Sequence, residues 1–177
     1  HYHNSSSETD LCKNDIIFSS SINDMIDVIF SFSLINYPVI LEGPSGCGKS
    51  SAFLYVAKYL GAKIIQISIS SSTTVEDLFG RFEPNPESKN IQFEFKPTSF
   101  LKAIDNKRNN GEKYWILIEE LNLASPSVID SLEPIFNSQS NHITLPDGSF
   151  IQRGNFFIVG LLSKPLQKQS ITNAALY

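Results

Sequence analysis

A chain of 177 residues, 41% hydrophobic and 18% charged, can bury one sizeable core and has little room for a second. Its formal net charge of -4 leaves no broad excess of Lys and Arg, which argues against direct nucleic-acid binding, and no apolar run approaches bilayer length. The only cysteines, Cys12 and Cys47, read as free thiols of a reducing, intracellular compartment.

Residues 1–14, rich in Ser, Asn and charge, read as a flexible lead-in, with the folded core expected over residues 15–165. From Ser21 a helix is expected, with Ile22, Met25, Ile26, Ile29 and Phe30 recurring at helical spacing. Tyr37-Pro38-Val39-Ile40-Leu41 is a short buried strand that feeds a glycine-rich loop. Phe53, Val56, Ala57 and Leu60 mark the next helix, closed by Gly61. A strand over residues 63–69 and a short helix over residues 73–79 follow. Residues 81–90 are expected as a loop, residues 91–95 as a strand, and Pro97 as the start of a helix.

Trp115-Ile116-Leu117-Ile118 is the most strongly apolar strand and runs into Glu119-Glu120. Ser125-Pro126 supplies an N-cap and a proline at the first helical position. Pro146-Asp147-Gly148-Ser149 separates the arms of a hairpin, and residues 155–162 form a last strand. Residues 166–177 are expected to begin a further segment that the sequence cuts short. Strands alternating with helices predict an α/β fold of three layers with a central parallel sheet, the glycine-loop strand in its middle. The 13 phenylalanines fall at core-like spacings, and His1, His3 and His142 show no metal-ligand spacing.

Gly43, Gly48, Lys49 and Ser50 satisfy G-x-x-x-x-G-K-[ST] between a predicted strand and a predicted helix. Glycines let successive backbone N–H groups turn toward phosphates, and a helix N-terminus adds its positive end. Gly43, Pro44, Ser45, Gly46, Cys47, Gly48, Lys49, Ser50 and Ser51 are therefore the expected ATP-binding residues. Lys49 supplies a positive charge and is expected to face solvent over the phosphates, and the Ser50 hydroxyl is expected on Mg²⁺. In a parallel sheet ligands lie at the C-terminal strand ends, which puts Glu119 and Glu120 at the same place. Glu119 is the expected second metal-holding group, reaching Mg²⁺ through water, and Glu120 the expected general base that polarises the attacking water.

This order of phosphate loop, acidic strand end, hairpin and last strand resembles an AAA+ ATPase module over about residues 17–165. The runs Glu119-Glu120-Leu121-Asn122-Leu123-Ala124-Ser125 and Thr74-Val75-Glu76-Asp77-Leu78-Phe79-Gly80-Arg81-Phe82-Glu83 are most similar to modules of the midasin, dynein-related family. The resemblance implies a P-loop NTPase fold, neighbouring modules in a ring and a C-terminal helical lid, which is expected to be absent from these 177 residues. It also implies remodelling of a macromolecular assembly, in large ribosomal subunit maturation and in the nucleus if midasin-like, otherwise in the cytoplasm. The family usually carries Asp where Glu119 stands and a sensor asparagine where this chain reads Leu162-Ser163-Lys164-Pro165, so Ser163 or Lys164 is the sensor candidate. The family's arginine finger lies downstream of the last strand, and none of Arg81, Arg108 and Arg153 has that position. A module that binds nucleotide without turning it over, a MoxR-like chaperone module and a module of a giant AAA+ ubiquitin ligase are the alternative readings.

Overall fold

The computed structural model describes residues 20–85, 92–137 and 140–164. The expected lead-in over residues 1–14 and the segment over residues 166–177 lie outside the described residues, as does Cys12.

In chain order the elements are α1 (Ser20–Leu34), β1 (Val39–Pro44), α2 (Lys49–Tyr59), β2 (Lys63–Ser68), α3 (Val75–Phe79), β3 (Gly80–Pro84) and β4 (Phe93–Pro97). Next come α4 (Ser99–Ile104), β5 (Tyr114–Glu119), a 3-10 turn (Leu121–Leu123), α5 (Pro126–Phe136), β6 (His142–Thr144), β7 (Phe150–Gln152) and β8 (Phe156–Lys164). Strands β1, β8, β5 and β2 form a parallel sheet in that spatial order.

Alternation along β5 divides the core. Trp115 and Leu117 join Phe157, Val159 and Leu161 of β8 on one face, under Ile29 of α1 and Ala52, Phe53 and Val56 of α2. Ile116 and Ile118 join Phe156 and Ile158 on the other face, under α3, α4 and α5. The result is the expected helix–sheet–helix arrangement. On the α2 side the Trp115 ring lies 5.6 Å from that of Phe53 and 4.8 Å from that of Phe157.

The glycine-loop strand departs from expectation: β1 stands at an edge of the described sheet, not in its middle. Burial explains the order. Trp115, Ile116, Leu117 and Ile118 of β5 and Phe156, Phe157, Ile158 and Val159 of β8 are buried on both faces and take the centre. Strand β1 alternates, with Val39 buried and Ile40 53% exposed, as an edge strand can.

Two further expectations are corrected. Part of the expected loop at residues 81–90 is strand β3, which pairs antiparallel with β4 in a separate ribbon. Phe82 and Phe95 stack across it at 5.3 Å, while Glu83 on the opposite face is ion-paired to Arg81 at 2.9 Å and Lys96 at 3.0 Å. Pro97 closes β4 and does not begin a helix; Thr98 is the cap of α4, its hydroxyl accepting from the Leu101 N–H at 3.2 Å. The hairpin of β6 and β7 forms around Pro146-Asp147-Gly148-Ser149 as expected, with Gly148 at φ 82. Among the described residues no helix is long and apolar enough to cross a membrane.

Candidate functional site

Strand β1 hands the chain to the glycine loop, and Lys49 opens α2. Gly46 at φ 79 and Gly48 at φ 91 hold left-handed backbone that side chains resist. Gly48 is also closely packed, since a Cβ there would lie 3.1 Å from Cδ1 of Ile22 on α1. Gly48 caps α2 without any side-chain hydrogen bond, so the N–H groups of the first turn keep no side-chain competitor.

Lys49 corrects the expectation of a solvent-facing side chain, because it is only 6% exposed. Its ammonium donates to the carbonyl oxygens of Gly43 at 2.9 Å and Pro44 at 2.8 Å, and reaches Sγ of Cys47 at 3.7 Å. A buried ammonium needs such partners, and the loop's own carbonyls are the nearest. It still borders the cleft in front of the loop, as Ser45, Gly46, Gly48, Ser50 and Ser51 do. Pro44 and Cys47 contribute backbone and thiol within the same loop.

From the far side come Glu119, Glu120 and Ser163, closing a cleft of about 190 Å³. Glu119 continues the alternation of Trp115 and Leu117, which turns it to the α2 face. There it accepts from the Ser50 hydroxyl through Oε1 at 2.5 Å. Its Oε2 accepts from Gln66 Nε2 at 2.7 Å and from Ser68 Oγ at 3.3 Å. Partial burial alone would raise the Glu119 pKa, but the hydrogen bonds from Ser50, Gln66 and Ser68 outweigh it and hold the carboxyl below its ordinary value.

Glu120 follows at φ 55, ψ 39, a left-handed conformation that disfavours a side-chain-bearing residue by about 1–2 kcal/mol. Its Oε1 accepts from Ser163 Oγ at 3.0 Å. The Ser163 N–H donates to Oδ1 of Asn122 at 3.0 Å, which ties the tip of β8 to the 3-10 turn. Of the two sensor candidates, Ser163 thus lies at the cleft. Lys164 contributes backbone that pairs with Pro44, and its side chain lies outside the described residues.

Gln66, Ser68 and Asn122 were not singled out by the sequence. The available signal was the polar alternation of Gln66 and Ser68 among Ile64, Ile65 and Ile67, which points both to the face of Glu119 once Ser68 is in register with it.

The arginines are engaged elsewhere. Arg81 pairs with Glu83, and Arg108 with the buried Asp105 at 2.6 Å. Arg153 donates to the carbonyls of Ile135 at 2.9 Å and Asn137 at 3.1 Å beside the end of α5, over the ring of Phe156. A wider depression of about 500 Å³, bordered by Glu133, Phe136 and His142, has neither a lysine nor a helix N-terminus.

Backbone donors at an open helix start, an ammonium and a hydroxyl suit an anion, and the Ser50 hydroxyl beside the Glu119 carboxylate is the hard-oxygen pair that Mg²⁺ takes. A parallel three-layer sheet with these groups at its C-terminal edge defines a P-loop NTPase domain. The chain belongs to the AAA domain family, dynein-related subfamily, whose model matches residues 38–177. Among curated proteins it is similar to midasin. Identity is 34% over 102 residues with Midasin of Dictyostelium discoideum, which is 58% of this chain and 2% of that protein. With Midasin of Giardia intestinalis it is 25% over 139 residues, 78% of this chain and 3% of that protein. The chain thus spans only a few hundredths of these relatives. The solved structure of a putative ATPase from Cytophaga hutchinsonii shares the fold at TM-score 0.52 and 19% identity, over 84% of this chain and 44% of that one.

Proposed function

We propose that this module binds Mg-ATP in the cleft between the glycine loop and the ends of β5 and β8, and hydrolyses it when a neighbouring module completes the site. One observation carries the reading: Ser50 and Glu119 lie in direct contact at 2.5 Å although 69 residues apart, so the phosphate loop and the acidic strand end form one site. The loop N–H groups and Lys49 would bind the phosphates, with Lys49 exchanging the Gly43 and Pro44 carbonyls for phosphate oxygen. Ser50 and Glu119 would hold Mg²⁺, which when bound offsets charge on the phosphates. Glu120 would orient the attacking water and take its proton, steadied by Ser163.

Within a ring, such turnover would drive remodelling of a macromolecular assembly by the parent protein, a pre-ribosomal particle in the nucleus if its role follows that of midasin. A second reading, a module that binds nucleotide without hydrolysing it, is favoured by Glu119 and Ser163, which stand where the family usually carries aspartate and a sensor asparagine. Single-turnover hydrolysis by the full-length parent protein, wild type against Glu120→Gln in this module, separates the two. A lost phase of product formation supports hydrolysis here; identical time courses support binding alone.

A further inference from the structure

Strand β8 outruns its neighbour. The β5–β8 register ends at Ile118 and Gly160, whereas β8 continues to Lys164, so its tip passes the end of β5. There the chain has turned off through Glu120 into the 3-10 turn, whose Leu121 is buried under β8: a Cβ on Gly160 would lie 3.2 Å from Leu121 Cδ2. Asn122, the next residue, is exposed. Its side chain nevertheless makes a directed contact across 41 residues of sequence, with Oδ1 accepting from the Ser163 N–H at 3.0 Å. It takes the place of the carbonyl that a longer β5 would have offered to the tip of β8. The Ser163 hydroxyl in turn donates to Glu120 Oε1 at 3.0 Å. One turn thus holds Ser163 at two points, by its backbone through Asn122 and by its side chain through Glu120.

The geometry points to Asn122 as a positioning residue for hydrolysis, acting through Ser163 to fix the direction of the Glu120 carboxylate. The inference rests on the reading of Glu120 as the group that takes the proton of the attacking water. A serine hydroxyl lies one bond beyond Cβ, so the position of its backbone decides whether it meets a given carboxylate. From the β1 side that backbone is in register with Gly43. From the side of Glu120 it is held by Asn122. A general base works only within hydrogen-bond reach of its proton, so a displaced Glu120 slows the chemical step while the loop keeps its hold on the phosphates.

The test is single-turnover hydrolysis by the full-length parent protein, read as the phase of product formation that Glu120→Gln removes, for wild type, Asn122→Ala, Ser163→Ala and the double variant. Asn122→Ala should slow that phase by roughly tenfold, the scale of one hydrogen bond, with the affinity for Mg-ATP unchanged. In the Ser163→Ala background the same substitution should have no further effect, because the hydroxyl that it positions is gone. Equal slowing in both backgrounds, a loss of affinity that matches the loss of rate, or an unslowed phase overturns the inference and makes Asn122 merely structural. Should Asn122→Ala fail to fold, Asn122→Leu removes the same acceptor at nearly the same size and is held to the same comparison. Identical time courses for wild type and Glu120→Gln would instead overturn hydrolysis in this module, and the inference with it.

Discussion

At the residue scale, Gly48 and Cys47 show how narrowly the loop is specified. Gly48→Ala would put a Cβ on left-handed backbone and 3.1 Å from the Ile22 side chain, which must give by a few tenths of an ångström. The expected cost is about 1–3 kcal/mol of stability, read by urea unfolding, together with weaker nucleotide binding; an unchanged unfolding midpoint would contradict the packing account. Cys47 lies inside the loop with its Sγ 3.7 Å from the Lys49 ammonium. Maleimide labelling of Cys47 should therefore slow when Mg-ATP is added, and equal rates with and without nucleotide would count against the site. The loop and the Glu119-Glu120 pair were legible because each is a local run whose meaning lies in adjacent residues. Gln66 was not, because an exposed glutamine on a strand acquires its role only from the register that sets Ser68 beside Glu119.

Among the elements, the β3–β4 ribbon is the one the sequence concealed. It is half exposed, so Arg81, Glu83, Glu94 and Lys96 alternate with Phe82, Phe93 and Phe95, and Pro84 makes the first arm look like a loop. Gly80 fixes how that ribbon leaves α3: at φ 126, a Cβ would sit 2.3 Å from the carbonyl oxygen of Lys96. Gly80→Ala should cost at least about 1–3 kcal/mol, with the loss visible in denaturant unfolding; wild-type stability in that variant would show that the ribbon is not held as described. The start of α3 is pH-sensitive in a defined sense. Hydrogen bonds from the Thr74 backbone and hydroxyl lower the Asp77 pKa below its ordinary 3.8. Its contribution is thus present above the unfolded-state pKa and lost as pH falls through the lower folded-state value. Asp77→Asn should therefore flatten the fall in melting temperature below about pH 4, and a slope equal to wild type would remove Asp77 from that account. The order of strands was also hidden, because pairing is non-local: the double-sided burial of β5 and β8 fits their place between β1 and β2 in the described sheet.

For the whole molecule, the family and the three-layer fold were legible because strand–loop–helix order and two motifs agree, whereas completion of the site is a property of more than one chain segment. An arginine supplied by a neighbour contributes roughly 10³ to 10⁵ in rate in P-loop enzymes, and Arg81, Arg108 and Arg153 are all committed to contacts away from the cleft. The 177-residue chain alone should accordingly bind ATP yet turn it over far below about 1 s⁻¹, an ordinary enzyme rate. Turnover at that rate or faster, measured as phosphate release, would require one of those arginines to leave its contact. Beneath every functional statement lies the claim that the cleft at Lys49 holds Mg-ATP. Calorimetric titration of Mg-ATP into wild type and Lys49→Ala tests it most directly, with thermal unfolding of both as the control for the loop carbonyls that Lys49 caps. The account predicts saturable one-site binding by the wild type and a loss of at least tenfold or so in affinity in the variant, the scale of a charged hydrogen bond. Equal affinity in the two folded proteins would contradict it.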